Sequence, residues 1–250
     1  MEGSLSPRRN TLLALLPNAS YERLSSRLEF AEYAAGTVMH EPGKMARHVY
    51  FPVDGVMSRL AVTQEGKSSA LALLGSEGML GSGVLTGSRA YATSAVVLAT
   101  TRGFRVAATI ARNLFQSDTQ IQSLALRYAH VLLLQVIQTA LCNKHHTLEQ
   151  QLCRWLLMYV DHVDDTHVKI THDLIARMLG VRRAGVSETA GRLQQAGLIR
   201  CDRADIQVLS RSQLEAKACE CYATDNANYS RLISHYPIGS VGYVARSRPD

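Results

Sequence analysis

Arg182 and Arg183 stand side by side in "MLGVRRAGVSETAGRLQQAGLIR", residues 178–200, where an apolar helical pattern breaks at Gly180 and then restarts. The helix macrodipole disfavours cations at a helix start, so two together there call for an external anion. Free N–H groups of a first turn attract phosphate, and an arginine fork can bond guanine O6 and N7 together. Ser187 and Glu188 follow about one turn later, and the carboxylate can accept from cytosine N4 or orient an arginine. Arg182, Arg183, Ser187 and Glu188 are therefore the candidates for reading base edges. Thr171, Arg192 and Arg203 are the candidates for holding phosphates. The 169–211 segment carries Lys169, Arg177, Arg182, Arg183, Arg192, Arg200, Arg203 and Arg211 against Asp173, Glu188, Asp202 and Asp205. The chain as a whole has 27 Lys plus Arg against 21 Asp plus Glu, a net charge of +6, so the excess is concentrated here.

The elements that must present these side chains can be read from the same stretch. Thr171 can cap a short helix that buries Leu174, Ile175 and Met178, and Leu179-Gly180-Val181 supplies a tight turn. A second helix over 183–196 buries Val186, Ala190 and Leu193 and ends at Gly197. "LIR" and "IQVLS" then form two short strands, with a closing helix over 212–219. Helix, glycine turn, helix and β-hairpin is the layout of a winged helix-turn-helix. Ahead of it, Thr147 and Gln150 have capping-box spacing for a helix of about four turns, with Leu152, Trp155, Leu156 and Tyr159 on one face.

Further upstream, residues 119–142 read as one long helix. Leu124, Tyr128, Val131, Gln135, Gln138 and Cys142 recur in heptad steps, and Leu124, Tyr128, Val131, Gln135 and Gln138 are assigned to dimerisation. Ile121, Leu126, Leu133, Ile137 and Leu141 form a second stripe. Both need covering: one arrangement packs one stripe on the chain's own β unit and the other on a partner copy, the alternative being a single buried helix in a monomer. That β unit lies between about residues 30 and 110, where short β-prone runs alternate with Gly36, Gly43, Gly55, Gly66, Gly75, Gly78, Gly81 and Gly103. Two short helices, broken at Pro17-Asn18, precede it, and residues 1–10 are expected to be a flexible tail.

Other chemistries find less support. Cys142, Cys153, Cys201, Cys219 and Cys221 show no zinc or disulfide spacing, and Cys219-Glu-Cys221 alone does not define a metal or redox site, so no metal is assigned. Gly81 to Gly87 comes close to a dinucleotide fingerprint but is one residue too long. The required carboxylate is also missing, because residues 78–117 contain no Asp or Glu. No catalytic triad or carboxylate pair stands out, so no enzyme is expected. The first residues lack an apolar signal core, and uninterrupted apolar runs such as 131–134 are too short to span a bilayer. The expectation is a cytoplasmic protein without a membrane partner.

Taken together the segments resemble the Crp/Fnr family of bacterial transcription regulators. "GTVMHEPGKMARHVYFPVDGVMSRLAV" is similar to the first strands of its cyclic-nucleotide-binding-type β-roll, and "GSEGMLGSG" to the start of its effector loop. Residues 119–142 resemble its dimerisation helix, and "ITHDLIARMLGVRRAGVSETAGRL" its DNA-reading hairpin. The resemblance implies an α+β fold: a β-roll sensor domain with N-terminal helices over 11–118, a dimerisation helix over 119–143 and a winged helix-turn-helix over 147–221. Residues 222–250 are an extension, with Tyr222, Tyr229, Tyr236 and Tyr243 every seven residues. It further implies a homodimer on pseudo-palindromic double-stranded DNA, with RNA polymerase as a partner. The family's base-reading positions fall on Arg183, Ala184 and Glu188. Members responsive to cyclic AMP have an acidic residue at the first of the latter two positions and an arginine at the second, so their operator is not carried over.

The same members hold the ribose with a glutamate and the cyclic phosphate with an Arg-Ser or Arg-Thr pair. The matching positions here are Ser82 and Thr93-Ser94, with Arg89 mid-loop as the one substitute guanidinium. Gly81, Ser82, Arg89, Thr93 and Ser94 are the candidate effector pocket, and activation by cyclic AMP in the usual way is not expected. The family's N-terminal iron–sulfur cluster is not expected either, since no cysteine precedes Cys142. Haem is not expected from the scattered His40, His48, His130, His145 and His146. The cofactor is therefore unassigned. The alternatives are a regulator that does respond to a cyclic nucleotide, and a ligand sensor that acts through protein contacts without DNA.

Overall fold

The computed structural model describes residues 5–163 and 165–234. Helices α1 (Thr11–Leu15) and α2 (Asn18–Ser25) fall on either side of Pro17, where the sequence predicts a break. Asn10 caps α1 by accepting from Leu13 N at 3.2 Å, and its amide donates to the carbonyls of Pro52 and Gly78, both at 2.8 Å. For its described part the expectation of a flexible tail over 1–10 is corrected by this anchorage: Pro7–Arg9 forms a short 3-10 turn and Asn10 is fully buried, while residues 1–4 lie outside the described residues.

Seven strands then build the roll: β1 (Glu29–Tyr33), β2 (Val38–His40), β3 (His48–Pro52), β4 (Val56–Val62), β5 (Ser68–Leu74), β6 (Ser94–Ala99) and β7 (Thr101–Ala107). They pair antiparallel in two sheets, β1-β7-β3 and β2-β6-β4-β5. Met57, Leu74, Leu80, Ala95 and Val97 fill the inside of the roll, while Val56, Leu60, Ala70, Leu73 and Leu98 serve a different core described below. Helix α3 (Ala108–Ser117) follows β7 directly; "GFRVAA" reads as strand, so its start is not visible in the pattern.

Asp118 starts the long helix α4 (Thr119–His145) by accepting from Gln120 N at 3.0 Å and Ile121 N at 3.3 Å. Ser20 and Arg23 of α2 bond the same carboxylate, at 3.1 and 3.2 Å, and fix the start of α4 to the N-terminal helices. The seam assigned to dimerisation faces the chain itself. Leu124 and Tyr128 are buried, the Tyr128 hydroxyl donates to Met79 O at 3.1 Å, and Gln135 donates to Leu73 O at 3.3 Å. Gln138 donates to Cys221 Sγ at 2.9 Å, and Val131 is partly buried against the N-terminal core. The second stripe lies open, with Leu126, Leu133, Ile137 and Leu141 between 44% and 55% exposed, although Ile121 is buried. By length and composition α4 is also apolar enough to cross a membrane, which the short uninterrupted runs had understated. Its apolar residues are spread over two faces rather than gathered in one run.

The remaining chain forms α5 (Leu148–Val163), β8 (His167–Val168), α6 (His172–Leu179), α7 (Arg183–Gln195), β9 (Ile199–Asp202), β10 (Asp205–Val208), α8 (Arg211–Lys217) and α9 (Cys221–Ser234). The small sheet has the order β8-β10-β9. The capping box forms as predicted: Gln150 N donates to Thr147 Oγ1 at 3.3 Å, and Thr147 N to Gln150 Oε1 at 3.0 Å. Trp155, Leu156, Ile175, Val186, Ala190 and Leu193 share one continuous core with Leu60, Ala70, Leu73 and Leu98 of the roll. The C-terminal half is thus packed on the outer face of the four-stranded sheet. Helix α9, the described part of the C-terminal extension, lies along α4. Its Asp225 pairs with Arg154 at 2.7 Å, and its Tyr229 donates to Glu77 O at 2.9 Å. Tyr236 and Tyr243 lie outside the described residues.

Candidate nucleic-acid interface

Thr171 caps α6 by accepting from Leu174 N at 3.2 Å. Gly180 ends α6 at φ 68°, a left-handed cap that an L side chain adopts at a cost. The chain is thereby turned so that Arg182 becomes the N-cap of α7, with extended backbone and no side-chain cap bond. Val186, Thr189, Ala190 and Leu193 anchor the buried side of α7, leaving Arg182, Arg183, Ser187 and Glu188 exposed on the other. Arg182 and Arg183 enter no ion pair among the described residues. His172, which the sequence reading did not single out, bridges the two helices: its Nδ1 lies 3.0 Å from Ser187 Oγ. Partial burial, and then the charge of Arg183, lower the His172 pKa from its ordinary value, which favours the neutral ring as an acceptor for the serine hydroxyl. Position in a first helical turn was its only sequence signal.

Other predicted residues are tied more closely to the protein. Arg192 holds Glu188 at 2.8 Å and reaches Glu149 at 3.7 Å, so it braces α7 and fixes the Glu188 carboxylate. Arg211, counted with the interface charge, is spent in a structural network with Asp161 at 2.7 Å, Glu215 at 2.9 Å and Tyr222. Asp205 pairs with His167 at 2.8 Å. Lys169, Arg200 and Arg203 remain exposed. Arg203 sits in the turn between β9 and β10 at φ 37°, the one non-glycine with positive φ among the described residues.

The candidate effector residues are held mainly by local backbone geometry. Gly81 has φ 95°, and a Cβ there would stand 2.7 Å from His48 O, so this position needs glycine for the close approach of β3. Ser82 starts a short 3-10 turn, Arg89 is exposed, Thr93 is half-buried, and Ser94 donates to His40 O at 3.1 Å. A cleft of about 320 Å³ opens instead between β2, β3 and Tyr91, lined by His40, Glu41, Lys44, Arg47, His48 and Tyr50 among others. None of Gly81, Ser82, Arg89, Thr93 or Ser94 lines it. His40 stacks on Tyr91 with centroids 3.6 Å apart, and its pKa falls to about 4 through burial and then the charge of Arg59. It is therefore a neutral packing histidine. His130 and His145 are exposed on α4. The cysteines that read as scattered are partly gathered: Cys142 of α4 and His146, the C-cap of that helix, meet Cys219 and Cys221.

A winged helix-turn-helix with an uncapped cationic first turn, carried behind a β-roll and a long helix, is the build of a DNA-binding regulator with a sensor domain. The sequence matches two family models, the cyclic nucleotide-binding domain over residues 30–118 and the Crp-like helix-turn-helix domain over residues 150–217. No curated protein matches it in sequence. The fold resembles that of FixK2 from Bradyrhizobium japonicum, at 15% identity over 77% of this chain and 98% of that one, with a TM-score of 0.66. It also resembles TTHA1359, a Crp/Fnr transcriptional regulator from Thermus thermophilus, at 22% identity over 76% and 98%, with a TM-score of 0.63. A third likeness is to the c-di-GMP responsive regulator CLP of Xanthomonas campestris, at 17% identity over 78% and 100%, with a TM-score of 0.64. The chain belongs to the Crp/Fnr family of transcription regulators, with a DNA-binding helix-turn-helix.

Proposed function

We propose that the protein is a homodimeric, sequence-specific regulator in which α7 enters the major groove with its N-terminal turn. The observation that carries this is the first turn of α7: it has no side-chain cap and presents two exposed guanidinium groups that enter no ion pair among the described residues. Arg182, Arg183, Ser187 and Glu188 read base edges, with Arg192 holding the glutamate in place. Thr171 and Arg203 contact phosphate, joined by Lys169 and Arg200. Two copies would set their recognition helices about 34 Å apart, one DNA turn, on a pseudo-palindromic site. Sites selected from a random DNA pool supply the operator, and Arg183→Ala is then titrated in a mobility-shift assay. The expected loss is about 1 to 3 kcal/mol, with relaxed preference at one base pair. Unchanged binding would refute this placement of α7.

The same reading makes the protein a cytoplasmic partner of RNA polymerase whose activity does not depend on cyclic AMP in the usual way. Its support is that residues 78–117 offer no carboxylate for a ribose, that Arg89 is exposed, and that none of Gly81, Ser82, Arg89, Thr93 and Ser94 lines the cleft. Selection with and without cyclic AMP tests this; a requirement for the nucleotide would overturn it.

A further inference from the structure

Cys142 lies in the last turn of α4, and His146 follows as its C-cap, its backbone N–H donating to Cys142 O at 3.0 Å. The chain returns to this point 77 residues later, after α8, and brings Cys219 and Cys221 against them. The four donor atoms, three sulfurs and one ring nitrogen, all lie within 4.8 Å of one another. Cys142 Sγ and Cys219 Sγ are 3.5 Å apart, and Cys221 Sγ and His146 Nδ1 are 3.4 Å apart. A tetrahedral ion with zinc-type bond lengths needs about 3.8 Å between sulfurs and about 3.6 Å between sulfur and nitrogen. Little movement separates these donors from the corners of one tetrahedron.

We propose that Cys142, His146, Cys219 and Cys221 form a mononuclear Cys3His site for Zn2+ that fastens the DNA-binding half to the long helix. The surroundings are those of a metal site. His146 turns Nδ1 toward the sulfurs, while its Nε2 meets Glu220 Oε1 at 3.2 Å, the carboxylate support that orients ligating imidazoles. Gln138 donates to Cys221 Sγ at 2.9 Å, a bond that favours thiolate. Arg154, buried beside Cys142 and Cys221, offsets the negative charge that three thiolates leave around a divalent ion. Burial otherwise keeps the Cys142 thiol protonated, with its pKa up at about 12, so metal binding releases the thiol protons to solvent. All four donors have no open corner for a water, which makes the site a structural one. Convergence on a single point favours one ion over a multi-iron cluster, whose thiolates sit on separate irons. The proposal is independent of how α7 reads DNA.

The full chain, purified under reducing conditions, is stripped with a chelator and titrated with Zn2+ against a chromogenic competitor, and in parallel with Co2+. The expected result is one ion per chain, thiolate-to-cobalt charge-transfer bands of a tetrahedral site, and a higher Tm with Zn2+. Cys219→Ser and Cys221→Ser should abolish the bands, Glu220→Gln should weaken binding by about 10-fold, and Cys153→Ser and Cys201→Ser should leave the bands and the metal stoichiometry unchanged. Because Cys142 and Cys219 are buried, circular dichroism is used to check that each variant folds, and the exposed Glu220 remains informative if a cysteine variant does not. Absence of bound metal with all thiols free would overturn the proposal. So would a Cys142–Cys219 disulfide that persists in the metal-free chain under reductant, or several irons with inorganic sulfide per chain.

Discussion

Arg203 occupies the tip of the wing at φ 37°, where a side chain crowds its own backbone. Such strain costs about 1 to 3 kcal/mol, more than the 0.4 to about 1 kcal/mol by which a glycine favours the unfolded chain. Arg203→Gly is therefore expected to raise stability by about 1 kcal/mol in urea denaturation. The same change should weaken DNA binding evenly across sequences and lower the salt slope by about one, as loss of a phosphate contact does. Stability and affinity moving in opposite directions would separate the wing's role from its folding. Residue roles set by near neighbours were legible: the Thr171 cap and the Thr147–Gln150 box need only a spacing of three. Roles set by distant neighbours were not. Arg211 looked like interface charge because Asp161 and Tyr222, its partners, lie 50 residues before it and 11 after it. Cys142 and Cys219 looked unrelated for the same reason.

At the scale of elements, α4 carries the clearest lesson. Its heptad seam was visible, but periodicity identifies a face and does not name what covers it. Gln135 and Gln138 suit a seam against the chain itself because Leu73 O and Cys221 Sγ accept from them there. In the proposed dimer, the open stripe of Leu126, Leu133, Ile137 and Leu141 would be the face that a second copy covers. Ile137→Glu is expected to shift the protein to monomer in sedimentation velocity and to lose operator affinity with it. Tyr128→Phe, on the inward seam, should leave the assembly intact and cost about 1 kcal/mol of stability by removing one hydrogen bond. An Ile137→Glu protein that remained dimeric would remove α4 from the interface. The sheet order of the roll and the docking of α9 had no local signal, since both depend on which distant strands and helices find one another.

Across the whole molecule, Glu77 joins three parts. Its carboxylate meets His162 of α5 at 3.1 Å and accepts from Gly75 N at 2.9 Å, and its carbonyl receives Tyr229 of α9. Burial alone would raise its pKa, but His162 and the Gly75 amide more than offset this and hold it below the ordinary value. A depressed carboxylate adds stability at pH values above its unfolded pKa, and that stability is lost as the pH falls through the ordinary carboxylate range and below it. Glu77→Gln should thus be less stable than the parent near neutrality, and the gap should close on acidification in denaturation curves taken at several pH values. A gap that widened in acid would refute the link.

The core shared by the roll and the C-terminal half has a consequence for switching. Swinging the recognition helix away would bring Leu60, Ala70, Leu73 and Leu98 into water together with the faces of α5 and α6 that cover them. At about 25 cal/mol per Å2 of apolar surface, such an opening is costly. A signal arriving in the cleft would be transmitted more cheaply by shear, with α6 and α7 sliding over the sheet in small steps while the apolar contact stays closed. What such a sliding step changes is the spacing between two recognition helices on one DNA face, so the regulator would act as a caliper rather than as a gate.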